Sequence, residues 1–408
     1  MDKAAHPAGR RVRQPLAMLT HSHYEEDPRV RREAESLVER GRDVDVFGLR
    51  RAGEPAEETI DGVHLRRLGV ERHQGAGLGT YLREYLSFLA RAGWAVTRAH
   101  RRRHYAVVQV HSLPDFLVFS GLALRLTGVP LLLDLHEAMP EFFRMRFPGS
   151  GGGLAHRLLL VQERLSIGLA SAVITVNQAL ADRLIELGVP ADKVSVLLNS
   201  PSLRRFDPAA QPARAFMADG VLRLVYAGAL TPVYELDVVL RSLALIQGLR
   251  PGLQVEFEIY GRGDGDAALH DLVAELGLGP AVRFHGRIPI AAVPAAIAAA
   301  DVGLAPTARN RFTEMSLSTK LFEYGAMDRP IVASALPLVE RLFPPGSIAT
   351  YQPGDPDDLA AAILRLVDDP AGREQAVALA RARIGELAWD HEADRLMALV
   401  DRLAGDQA

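Results

Sequence analysis

The sequence predicts an α/β protein made of two similar halves, each a parallel sheet covered on both faces by helices. Short apolar runs alternate with helical patterns along nearly the whole chain, which is how successive βαβ units read in sequence. The alternation lapses once, between about Asn199 and Asp219, where Pro201, Pro208 and Pro212 fall without a period, and then restarts. A chain of 408 residues also exceeds what one ordinary hydrophobic core organises. Two Rossmann-like domains joined by a linker account for all three observations.

The elements follow in order. Leu16–Thr20 reads as the first strand. Asp27 is placed to cap the helix after it, with Pro28 at the first helical position and Gly41 just past the end. Val44–Phe47, Val107–Val110, Leu131–Leu133 and Ala172–Val176 continue the first series. Leu222–Tyr226, Val255–Tyr260, Val282–His285, Val302–Ala305 and Ile331–Ala333 form the second. The Ala-rich stretch Ala291–Ala300 lies between two strands and reads as a packed helix. The expected boundaries are a disordered tail at 1–13, a first domain at 14–200, a linker at 201–219, a second domain at 220–385, and a closing helix with its tail at 386–408. Ligands of such sheets bind beyond the carboxyl ends of the strands, so a central cleft built from strand-end loops of both halves is expected.

Composition narrows the class. Hydrophobic residues at 48% with 24% charged residues describe a soluble globular chain, and no run approaches the ~18 apolar residues of a membrane span. Met1 to Arg13 is polar and lacks the apolar core of a signal peptide. With no cysteine, disulfide, thiolate and cysteine-zinc chemistry are excluded. A cytoplasmic location is the expectation. The net charge of −3 conceals a basic first half and an acidic second half, which points to different partners for the two.

The segment richest in chemistry is Ser316–Pro330, which leads into the strand at Ile331. Ser318 or Thr319 can cap a short helix, whose free N–H groups make an anion site. Lys320 and Glu323 share one face of that helix. A lysine in the first turn opposes the helix dipole, and a bound diphosphate would explain it. Glu323 could then accept hydrogen bonds from a ribose diol. The bland alternative is a surface Lys–Glu pair on a capped helix.

The run Lys320-Leu321-Phe322-Glu323-Tyr324, followed by a turn, Pro330 and a strand, resembles the donor-site signature of the family-4 glycosyltransferases, which have the GT-B fold. The resemblance covers nearly the whole chain in order. It takes in His23–Glu33, Val107–Asp115, Leu131–Glu141, Val173–Asn177 and Val194–Asn199, then Tyr226–Leu230, Ile259–Asp264, Val282–Arg287 and Ala300–Pro306. It implies two Rossmann-like domains facing a cleft, with a helix near Trp389–Leu403 crossing back to the first. The implied activity is metal-independent transfer of a sugar from a nucleotide diphosphate, most simply UDP, with retention of anomeric configuration.

The resemblance also implies roles for residues. Glu323 binds the ribose hydroxyls, and Leu317, Ser318 and Thr319 hold sugar and phosphates through their amides. The family's first motif glutamate falls at Met315, a departure that leaves two alternatives: Glu314 beside it contacts the donor sugar, or those amides do so in its place. The loop Gly228–Glu235 lacks the family's Arg and Lys, so Lys320 becomes the main charge on the diphosphate, aided by Arg262 or Arg309. His285 falls within a matching donor segment. His136, at the end of a strand, stands where the family carries a histidine facing the donor sugar. Glu137 and Glu141 are alternatives for orienting the acceptor, and His23 and Asp27 of the first-domain loop are further acceptor-binding candidates.

No cofactor or metal is called for. Asp264-Gly265-Asp266 mimics a metal-binding Asp-x-Asp but reads better as helix capping, and Gly261-x-Gly263 is too short for a dinucleotide fingerprint. No nucleic-acid partner is expected, since Arg101–Arg103 reads more simply as a helix end. The stretch Tyr81–Trp94 and the run Phe142–Phe147 before Gly149–Gly153 interleave apolar residues with arginine, which would suit peripheral contact with an anionic membrane. The acceptor could be lipid-linked, a polysaccharide or a natural product. The rival readings are a sugar-nucleotide epimerase and a binding protein that has lost catalysis.

Overall fold

A computed structural model describes residues 13–70, 78–146 and 153–405. Most of the expected N-terminal tail and the run from Phe147 to Gly152 lie outside these residues. The chain divides into two compact units, one holding residues up to Leu197 together with Ala393 onward, the other Leu198–Glu392.

The first unit is built on eight strands. They are β1 (Leu16–Leu19), β2 (Val44–Leu49), β3 (Glu57–Ile60), β4 (Val63–Leu68), β5 (Val107–His111), β6 (Leu131–Leu135), β7 (Ala172–Thr175) and β8 (Val194–Val196). Their spatial order is β3-β4-β2-β1-β5-β6-β7-β8, with β3 the antiparallel partner of β4. Central strands β1, β5 and β6 are buried throughout, as expected of a sheet covered on both faces. The helix Pro28–Glu39 begins as expected. Asp27 accepts from the backbone N–H of Arg29 and Val30, and Pro28 fills the first position.

Connections within this sheet run in two directions. The step from β1 to β2 goes one way across it, and the steps from β4 through β5, β6 and β7 to β8 go the other. Right-handed crossovers therefore place helices Leu78–Arg103, Leu122–Leu126, Gly153–Leu169 and Gln178–Glu186 on one common face. Their inward side chains confirm it. Phe88, Ala92, Val96, Leu124, Ile167 and Leu184 share one core with Leu19, Val108, Val110 and Leu133 of the sheet. Residues from Ala393 join this unit through the closing helix (Trp389–Ala404), where Asp401 accepts from Arg42 at 2.7 Å and Asp394 from Arg40.

The second unit holds β9 (Val221–Ala227), β10 (Gln254–Tyr260), β11 (Val282–Gly286), β12 (Val302–Ala305), β13 (Ile331–Ser334) and β14 (Ala349–Tyr351), ordered β11-β10-β9-β12-β13-β14. All pairings are parallel. The helix expected in Ala291–Ala300 forms at Val293–Ala298. Residues 201–219, read as a linker, group with this unit. Phe206 is buried among Leu321, Tyr324 and Ile331, so the prolines break the period without freeing the chain. Asp264-Gly265-Asp266 corrects its expectation too. The helix starts at Asp266 behind Gly265, and no side chain caps it. The close approach of Gly263 to the Leu230 backbone, with a built Cβ 2.2 Å from its carbonyl oxygen, explains the loop's glycines instead. Among the described residues no helix is long and apolar enough to cross a membrane.

Candidate functional site

Each unit carries its own cluster at the carboxyl ends of its strands. In the second unit the cluster centres on the helix Thr319–Ala326, whose sequence is mostly dictated by packing. Leu321, Phe322 and Tyr324 are buried, and the Tyr324 hydroxyl accepts from the backbone N–H of Ala227 at the end of β9. Gly303 leaves room for the Tyr324 ring, since a Cβ there would stand 2.3 Å from it. Glu323 is half-buried. Ser318 holds the cap position in an extended conformation and makes no side-chain cap bond. The first-turn N–H groups are thus not taken by a capping side chain, the arrangement an anion site needs.

Lys320 is only 7% exposed. Its Nζ lies 4.2 Å from the Tyr234 ring centre and 4.9 Å from that of Tyr226. Burial pushes its ammonium down to about 8, with Glu323 opposing the shift. A surface Lys–Glu pair is therefore not what the helix carries. The loop after β9 is shaped around this side chain. A Cβ on Gly228 would meet Lys320 Cε at 2.5 Å and Nζ at 2.7 Å, and one on Gly261 would sit 1.7 Å from the Gly228 carbonyl oxygen. Gly261 also holds φ +149, a region open to glycine. The motif glycines keep a side-chain-free wall beside one cation. Tyr226, Tyr234, Gly261 and Gly263, which sequence reasoning left unassigned, complete this arrangement.

The other donor-side candidates are less concentrated. Arg309 is exposed and pairs with Glu314 at 2.9 Å, so two residues assigned separate roles engage each other. Arg262 is exposed and lies against Gly286. His285 bonds to Glu258 and stacks on Tyr260 with ring centres 4.4 Å apart, contacts that account for it without a ligand. The loop before the helix is fixed from within: Asn310 accepts from the N–H groups of Phe312 and Thr313, and Thr307 N–H donates to Ser334 Oγ at 2.7 Å.

The first unit's cluster gathers around His136. Its Nε2 lies 3.3 Å from Asp134, and Nδ1 of His111 lies 3.1 Å from the same carboxylate. Arg29, on the helix that Asp27 caps, donates to both Asp134 oxygens at 2.8 and 2.9 Å and pairs with Glu33 at 3.0 Å. Gln109 donates to Glu33 at 2.6 Å. Burial would raise Asp134, but the Arg29 charge and the histidine contacts hold it well below the usual carboxylate range. Burial and the Asp134 charge push Glu33 up to about 7, and burial alone does the same to Glu137. His136 thus rests on a fixed buried anion. His111, Asp134 and His136 could in principle ligate a metal, yet a divalent ion would have to share Asp134 with a guanidinium already bound to both oxygens.

Sequence reasoning missed Arg29, His111 and Asp134. The available signal was an ionisable residue inside each apolar strand, Asp134 in β6 and His111 ending β5. Asp27 is occupied as a cap and also accepts from Ser22 Oγ at 2.7 Å. Glu141 pairs with Arg183, which also holds Glu163. His23 is half-buried, and burial with the nearby Arg51 charge lowers its pKa.

Residues 27–200 match the Glycosyl transferase 4-like domain family, and residues 222–369 match Glycosyl transferases group 1. The chain is a family-4 glycosyltransferase. Among curated relatives of this glycosyltransferase is a D-inositol 3-phosphate glycosyltransferase of Thermomonospora curvata, 28% identical over 388 residues covering 89% of this chain and 87% of the relative. A protein of the same name from Kineococcus radiotolerans is 27% identical, covering 92% and 89%. Among solved structures, the sucrose-phosphate synthase of Thermosynechococcus elongatus aligns with a TM-score of 0.79 at 19% identity, covering 97% of this chain and all of that one. Anabaena HepE in complex with UDP-glucose aligns at 0.70 and 15% identity, covering 96% and 100%. These likenesses fix the fold as GT-B, and the expected glycosyltransferase activity stands.

Proposed function

We infer that this glycosyltransferase takes its sugar from a uridine diphosphate donor and transfers it with retention of configuration and without a metal ion. The observation that carries the reading is the single buried lysine held against side-chain-free backbone at an uncapped helix N-terminus. Breaking a glycosyl phosphate bond leaves negative charge on the diphosphate. Lys320 and the first-turn N–H groups would stabilise that charge without reorganising, and Glu323 would accept from the ribose hydroxyls. The leaving phosphate would take the acceptor's proton. His136, held by Asp134, is the candidate to contact the sugar. Glu314, turned to Arg309, would reach the sugar only by leaving that pair.

The acceptor classes under consideration are lipid-linked, polysaccharide and natural-product hydroxyls. The basic first half favours an anionic acceptor, and the relatives' name makes a phosphorylated cyclitol the first soluble one to assay. A cytoplasmic enzyme working against the membrane's inner face fits the same charge. The deciding test is thermal stability with UDP, GDP and ADP, for the wild type and Glu323→Ala. A nucleotide at ten to a hundred times its Kd should add roughly 1.4 to 2.7 kcal/mol. Stabilisation by UDP that Glu323→Ala loses supports the reading. Stabilisation by GDP or ADP alone overturns the uridine assignment, and an unaffected mutant overturns the site. Transfer that persists in EDTA is expected, and product stereochemistry tests retention.

A further inference from the structure

Three helices on the common face of the first unit, Leu78–Arg103, Leu122–Leu126 and Gly153–Leu169, keep their acids inward and turn most of their arginines outward. Helix Leu78–Arg103 has one carboxylate, Glu84, which is buried against His21 at 3.1 Å. Helix Gly153–Leu169 also has one, Glu163, which is buried against Arg183. Helix Leu122–Leu126 has none.

The outward faces pair arginine with large apolar side chains. On the first helix Leu82, Leu86 and Trp94 are exposed, Trp94 by 68%, beside exposed Arg83, Arg91 and Arg98. The Arg98 guanidinium lies 5.5 Å from the Trp94 ring centre. On the second, Leu158, Val161 and Leu165 are exposed and alternate with Arg157 and Arg164. This is a helical stripe turned to solvent, opposite the buried Ile167 stripe. Between them, Leu126 is 79% exposed beside Arg125. Arg91 and Trp94 also line a groove of about 490 Å³ with Arg50 and Arg67. Single exposed leucines are ordinary, but a shared apolar face on three adjacent helices is not. The neighbouring helix Gln178–Glu186 carries exposed Glu186, so the acid-free region stops there.

We propose that this face docks on an anionic lipid bilayer, with arginines at the headgroups and leucines and Trp94 entering the acyl boundary. Charge decides the occupant. A surface made for a second copy of this chain would need carboxylates to meet its arginines, and these three faces offer none. Anionic headgroups supply that charge, and each arginine near such a surface strengthens binding roughly fivefold. Tryptophan with flanking arginine is the composition of a membrane interface. The inference gives a surface to the membrane contact of the proposed function but does not depend on the donor assignment.

The chain has two tryptophans, and Trp389 is buried, so Trp94 reports on the face directly. Vesicles of phosphatidylcholine with phosphatidylglycerol should pellet the protein and blue-shift its emission, while phosphatidylcholine alone should do neither. The triple variant Arg91→Gln, Arg98→Gln, Arg164→Gln should weaken vesicle binding roughly a hundredfold at low salt. Trp94→Ser should lose the emission shift and weaken binding. These positions are exposed, and unchanged thermal melting and nucleotide stabilisation in the variants would show that they fold. Equal binding to both vesicle types, no binding, or full binding by the triple variant overturns the proposal. A wild-type dimer that Trp94→Ser dissociates, with no vesicle binding, would assign the face to self-association instead.

Discussion

Replacing Lys320 by methionine should make the second unit more stable while removing its nucleotide response. Burial holds the ammonium near 8 against an ordinary 10.5, and each pKa unit corresponds to 1.36 kcal/mol. Keeping the charged form at pH 7 therefore costs folding on the order of 3 kcal/mol. Methionine of similar length keeps apolar contact with Tyr226 and Tyr234 and forfeits the cation–π attraction, worth about 1–2 kcal/mol. The net gain should be roughly 1–2 kcal/mol, or several degrees in the melting of a unit this size. The sign of the pH dependence is fixed. Because the folded pKa is depressed, the unfolded chain holds the proton more tightly between about 8 and 10.5, so wild-type stability rises with pH across that window. The methionine variant lacks this rise, and its advantage should fade toward pH 10.5. Scanning fluorimetry from pH 7 to 10.5, with and without UDP, measures all of this. In the wild type UDP affinity should fall above pH 8 as the amine deprotonates. A variant less stable at pH 7, with no narrowing of the gap at high pH, would refute the claim that Lys320 is held charged at a desolvation cost for an anion.

Other substitutions separate architecture from binding. Gly261→Ala places a Cβ 1.7 Å from the Gly228 carbonyl oxygen at φ +149, so it should destabilise the second unit by more than about 3 kcal/mol, seen as a large drop in its denaturant midpoint. Gly228→Ala meets the end of the Lys320 side chain and, less closely, the Tyr226 hydroxyl at 3.1 Å, side-chain atoms rather than backbone. It should leave melting within about 1 kcal/mol of wild type and cut UDP affinity by tenfold or more in calorimetry. In the first unit, both Asp115 carboxylate oxygens are buried without a hydrogen-bond partner, and burial followed by the Glu163 charge pushes its pKa to about 8. The folded state then binds the extra proton, so stability should fall as pH rises from about 4 to 8, at up to about 1.4 kcal/mol per unit. Asp115→Asn should flatten that slope and stabilise the unit at pH 8, as chemical denaturation across the range will show.

The apolar runs and helix signals determined most of the fold unaided. Asp27 with Pro28 fixed a helix start, and the buried strands β1, β5, β6 and β12 declared themselves because the strands of a parallel sheet covered on both faces are mostly apolar. The hairpin β3–β4 was not legible. It sits at the sheet edge with alternating exposure, and Glu57 to Ile60 carries no apolar period. Lys320 and Glu323 were legible as a pair, since three residues on a helix always share a face. That Lys320 is buried against two tyrosines depends on strand ends more than eighty residues away in sequence, and no local pattern encodes it. Likewise, Arg29 reads as one more charge on an amphipathic helix until the sheet order brings β6 beside β5 and Asp134 under its guanidinium. The arginines and leucines of the three helices are visible in sequence as amphipathic stretches. Which way each stretch faces was decided by the handedness of the crossovers, which sends one set of side chains into the core and leaves the other to the surroundings.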